Sequence, residues 1–162
     1  WAREWAIMRH DMDVDEITVA TLLHDVAEVL CWVFAPKLSL DLRDLLRANP
    51  GMRTAAAQKA VFNVTAHELQ LALVRAWKLP SLLVELMGGS AHPSPRVRNV
   101  QYAVNLARHS AKGWDDPALP DDFKDIEELL RISHETLLGR LGLPMDGSPP
   151  PTLPDHAAPD AD

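Results

Sequence analysis

The segment LLHDVAE, residues 22–28, sets a histidine and an aspartate side by side inside the most apolar stretch of the chain, residues 17–34. Isolated charges are costly in an apolar setting, so such a pair needs partners. Two chemistries satisfy it. Adjacent His24 and Asp25 can both reach one metal ion, or they can form a hydrogen-bonded polar pair that pins neighbouring helices. The stretch is long enough to suggest a membrane span. However, His24, Asp25 and Glu28 at its middle would each be expensive in lipid, which predicts a buried helix of a water-soluble domain. Asp13 followed by Glu16 reads as an acidic capping box opening this helix, and Pro36 closes it.

Outward from this helix, every segment has helical spacing. Trp1, Trp5 and Met8 recur at intervals of three and four and read as the last part of a longer helix. Leu40, Leu42, Leu45 and Leu46 predict a short amphipathic helix ending at Asn49, Pro50 and Gly51. An alanine-rich helix follows over 53–62, with a break near Asn63. Ala66, Leu69, Leu73, Ala76 and Trp77 form the next apolar stripe. A short helix, PSLLVELM, starts at Pro80. Ser94 caps and Pro95 starts a helix whose buried stripe is Val97, Val100, Val104, Ala107 and Ala111. Gly113 ends it. A helix with Phe123, Ile126, Leu129 and Leu130 inward has Asp121 and Asp122 at its positive end, and a last short helix capped by Ser133 carries Leu137, Leu138 and Leu141.

No stretch alternates with period two, so the fold class is all-α, a multi-helix bundle of about seven to eight helices. The helical domain covers 1–143. Six of the thirteen prolines fall in 144–162, which reads as a Pro-rich disordered tail or linker. The start, WAREWAIMRH, has no signal-peptide pattern and reads as N-terminally truncated. At 47% hydrophobic and 24% charged residues, the composition is that of a globular domain. A net charge of −7 disfavours binding to phosphate backbones, so no nucleic-acid partner is expected. The single cysteine, Cys31, excludes an internal disulfide, fits a cytoplasmic location and reads as a small core residue. Trp32 and Trp77 likewise read as core. There is no Gly-rich nucleotide loop and no G-x-S-x-G, so no cofactor is expected.

A helix ending in WA, a DVDE turn, the LLHD helix, RAWKLP at 75–80 and NVQYAVNLARH at 99–109 follow one another in an order that resembles the HDOD domain, over roughly residues 1–130. ARHSAKGWDDPALPDD, 107–122, is similar to a sub-group of that family. The resemblance implies a bacterial regulatory domain of the HD superfamily, whose catalytic members hydrolyse phosphoesters with one or two metals. Those enzymes need further histidines and a final aspartate. Here only His24 and Asp25 match. A lysine of the HD-GYP branch falls on Glu28, and the histidine of the W-x-L-P helix falls on Ala66. The neighbouring His67 is turned about 100° away. The paired-histidine position falls near Gly89 and Ser90, with His92 beyond, and the final aspartate falls beside Val104 and Asn105.

A catalytic zinc takes about three protein ligands and an open position. Two are offered, so the resemblance implies a degenerate HD pair and no catalysis. The expected function is a signalling output module that binds a protein partner, a fused sensor or receiver domain, or a small anionic ligand. His67, Arg96, Arg98 and Arg108, with His109 and Lys112 nearby, form the candidate ligand or partner face. The alternative is a metal-dependent phosphohydrolase acting on nucleotides or cyclic dinucleotides, with His24, Asp25 and either His67 or His92 as ligands.

Overall fold

The computed structural model describes residues 1–88 and 92–144, and these contain helices and turns with no strand. They divide into two compact units, Trp1–Val100 and Gln101–Asp162. The expectations for Gly89 and Ser90, and for all of the Pro-rich tail except Pro144, lie outside the described residues.

In the first unit the helices are α1 (Ala2–Met8), α2 (Val14–Leu22), α3 (Val26–Phe34), α4 (Pro36–Ala48), α5 (Thr54–Phe62), α6 (Ala66–Ala76) and α7 (Ser81–Gly88). The start of α8 (Pro95–His109) completes it. α2 packs on α1 and α7, α3 on α4 and α6, and α4 on α5. Trp5, Ala6, Ile17, Ala20, Val74 and Leu86 are fully buried at these contacts. Asn99 donates to the Ala2 carbonyl at 3.2 Å, and Arg9 to the Pro95 carbonyl at 2.8 Å, so both ends of α1 are tied to the start of α8.

Pro36 does more than stop α3. It occupies the first turn of α4, where its missing N–H costs nothing, and α4 therefore begins several residues before the predicted leucines. Asn63 leaves α5 through a left-handed conformation, φ 60°, which asparagine tolerates. Asp13 precedes α2 but makes no side-chain capping bond, so the expected acidic box is absent there. The box is found on α6. The Thr65 hydroxyl accepts from the Glu68 amide at 3.1 Å, and Glu68 accepts from the Thr65 amide at 2.9 Å.

Thr65→Ala is expected to cost about 1 kcal/mol, measured as a lower urea midpoint. The Thr65 amide, then its hydroxyl, then Lys59 hold the Glu68 carboxyl below the ordinary carboxylate range. A carboxyl depressed in the fold stabilises it above the unfolded value and loses that stabilisation as the pH falls. The gap between wild type and Thr65→Ala should therefore be full at neutral pH and narrow in acid.

In the second unit α8 ends at His109. A 3-10 turn (Ser110–Lys112) follows, then α9 (Leu119–Leu130) and α10 (His134–Leu141). Gly113 has φ +133°, and a Cβ there would meet Asp115 at 3.0 Å, so glycine is required. α9 is held at both ends by imidazole–carboxylate pairs, His109 with Asp122 at 2.5 Å and His134 with Glu127 at 2.6 Å. On α8, Ala107 and the following Ala111 are exposed, and Ala103 and Leu106 take the buried positions instead, alongside Val104.

Candidate functional site

The apolar run read as one buried helix is two. Its ladder stops at Leu23, and residues 23–25 form a turn that carries the His–Asp pair. In a continuous helix the Ala27 amide would donate to the Leu23 carbonyl. Here the side-chain amide of Gln70, from the middle of α6, is inserted between them. Its Oε1 accepts from the Ala27 amide at 3.0 Å, and its Nε2 donates to the Leu23 carbonyl at 2.5 Å. A side chain inserted into the i to i−4 ladder is a recognised cause of a helix break. Gln70 is 3% exposed, and both of its polar ends are used.

The expected deep burial of the pair is not found. Asp25 is exposed and His24 is half-buried. Their side chains meet each other, His24 Nδ1 to Asp25 Oδ1 at 2.8 Å. Gln70 links α6 to the turn. The run Val14–Phe34 is also poorly covered: its most apolar 18-residue window has a mean hydropathy of 1.6, yet only 17% of that window is buried. Its length and composition would suit a membrane span, but Ile17, Ala20 and Ala27 are buried, and the run packs on α1, α4, α6 and α7.

α6 is rotated by about one residue from its predicted face. Gln70 and Val74 are buried, Ala66, Leu69 and Leu73 flank them, and Ala76 and Trp77 are exposed. Trp32 is exposed as well, so neither tryptophan is the core residue expected. His67 is exposed, and Ala66 faces a cleft between α3, α4, α5 and α6.

That cleft measures about 200 Å³, and Cys31, Trp32, Leu42, Leu46, Phe62 and Leu69 give it a largely apolar wall. His24 and Asp25 do not line it. It falls below the roughly 300 Å³ at which sites for drug-sized ligands begin. Cys31 lines the cleft and is not deep core; burial pushes its thiol up, and the Glu28 carboxylate adds to this, which favours the protonated thiol.

The basic face is partly neutralised from within. Arg96 pairs with Asp13 at 2.7 Å, and the Nε of Arg98 is buried without a partner. In the second unit Arg108 donates to Asn105 at 3.0 Å, and His109 is engaged by Asp122. His92 is exposed.

The HD superfamily implies a metal, and the residues present do not fit one. Among the described residues no group of three His, Cys, Asp or Glu is placed to hold an ion. Gln70, which touches the backbone on both sides of the pair, is neutral and fully engaged. Sequence reasoning passes over Gln70. The available signal is a lone amide among the apolar residues of 69–74.

No curated protein and no solved structure matches this chain. A family model, the HDOD domain, matches residues 1–93, which includes the His–Asp turn, the Gln70 clasp and the W-x-L-P end of α6. With more than half of its 162 residues matched, this chain belongs to the HDOD domain family.

Proposed function

We propose that the chain is a bacterial, cytoplasmic regulatory output domain that hydrolyses nothing and acts by binding a protein partner or an attached sensor or receiver domain. The observation that carries this reading is the Gln70 clasp. In the HD enzymes a His–Asp pair works as part of a larger ligand set. In this chain the backbone around the pair is locked by a neutral amide, and the two side chains are bonded to each other. A pair so placed serves as a structural turn, and regulation through surfaces is what remains for the domain.

Family membership supports the regulatory part of the reading. The net charge of −7 supports the absence of a nucleic-acid partner. A small anionic ligand finds weak support, because Arg96 already has Asp13 and the cleft is largely apolar. The test is hydrolysis of p-nitrophenyl phosphate, bis-p-nitrophenyl phosphate and cyclic dinucleotides by the purified chain with added Mn, Zn or Mg. The expected result is no turnover above the His24→Ala, Asp25→Ala double variant. Turnover that the double variant lacks would replace the proposal with the phosphohydrolase reading.

A further inference from the structure

One face of α3 is turned toward the cleft. Glu28, Cys31 and Trp32 stand at i, i+3 and i+4, the spacing that makes residues neighbours on a helix, and all three line the cavity. The rest of the wall includes Leu42 and Leu46 of α4, Phe62 of α5 and Leu69 of α6. At about 200 Å³ the cleft exceeds the roughly 150 Å³ apolar cavity that takes up benzene, so one ring with a short chain fits it.

The charge of this wall is one-sided. Glu28 is exposed, and among the described residues it makes no hydrogen bond or ion pair. Arg43, the cation of the lining, is bonded to its neighbour Asp44 through Nε and a terminal nitrogen, each at 3.1 Å, so its charge is already matched. Ser39, Gln58 and Thr65 serve the fold: the Ser39 hydroxyl donates to the Ala35 carbonyl, Gln58 accepts from the Ala66 amide, and Thr65 caps α6. The carboxylate of Glu28 is therefore the charge left for a ligand to answer. Beside it the Trp32 indole is 42% exposed, and the face of an indole attracts a cation.

We propose that the cleft binds a small arylalkylammonium ion, its ring among Leu42, Leu46, Phe62 and Leu69 and its charge between the Glu28 carboxylate and the Trp32 indole. This adds a ligand site to the regulatory reading and holds whether or not the domain is catalytic.

The probe is 2-phenylethylammonium, titrated into the whole chain and followed by two-dimensional proton–nitrogen NMR, with 2-phenylethanol and 3-phenylpropionate as its neutral and anionic counterparts. The Trp32 indole N–H and the amides of Glu28, Leu46 and Leu69 should shift together on one saturating curve. An exposed ion pair is a modest contact, so the ammonium is expected to bind about fivefold more tightly than the alcohol. Glu28→Gln should remove that advantage and leave the alcohol's affinity unchanged, and Glu28→Lys should transfer the advantage to 3-phenylpropionate. Both changes fall at an exposed position and should keep the helical circular dichroism of the wild type. Absence of a saturable shift at these groups overturns the proposal. So does equal affinity for the three probes, or a preference for the ammonium that survives Glu28→Gln.

Discussion

Trp5→Ala is expected to destabilise the chain by roughly 3–5 kcal/mol, the range for truncating a buried aromatic residue. Trp5 is fully buried on α1, and α1 is the helix packed against α2. The loss has two parts, the transfer of the indole to water and the cavity left where α1 meets α2. Chemical denaturation should show a lower midpoint with little change in slope, since a cavity leaves the surface exposed on unfolding nearly constant. Trp77→Ala serves as the control. Trp77 is exposed beyond the end of α6, and its removal should cost less than about 1 kcal/mol, as surface substitutions do. Similar costs for the two would contradict the placement of α1.

Gln70→Leu is expected to cost about 1–3 kcal/mol, although leucine is the more hydrophobic residue. It removes the partner of the Ala27 amide and one of two donors to the Leu23 carbonyl, which keeps the Val26 amide at 3.1 Å, and a buried polar group left unpaired costs roughly 1–3 kcal/mol. Gln70→Glu separates the two halves of the clasp. A carboxylate still accepts from Ala27, but it presents an acceptor to the Leu23 carbonyl, so this variant should also be destabilised and should recover as acid protonates the introduced carboxyl into a donor. Hydrogen exchange at the Ala27 amide reads the clasp directly and should quicken in Gln70→Leu. If the stability loss were below about 1 kcal/mol and Ala27 stayed protected, α2 and α3 would have fused into one regular helix, and the clasp would not be what breaks them.

These two residues show what a single sequence can and cannot announce. Local signals read well. Ser133 caps α10, accepting from the Thr136 amide at 3.3 Å, and Gly142 closes it in a left-handed conformation. Pro36 and Asn63 mark true boundaries, and Val97, Val100 and Val104 are buried as their spacing requires. Each of these features depends on neighbours a few residues away.

The break at Leu23 depends on a side chain 47 residues later, and no nearby pattern encodes it. The apolar run suggests burial, yet hydrophobicity states only what a residue prefers; what covers it is a tertiary fact. Val29 and Val33 are therefore exposed where the sequence predicts a core. The one-residue rotation of α6 has a similar origin, because satisfying two backbone groups of the turn fixes Gln70 inward and carries Trp77 outward. The adjacency of His24 and Asp25 is legible in the sequence, since it requires only reading one segment. The identity of the residue that secures the turn is not.

The most direct measurement is elemental analysis of the chain purified without chelators from medium supplemented with Mn, Fe, Zn and Ni. With His24 bonded to Asp25 and no third ligand gathered around them among the described residues, bound metal is expected well below one ion per chain and unchanged in His24→Ala. One equivalent of a transition metal that His24→Ala removes would contradict the account at its centre.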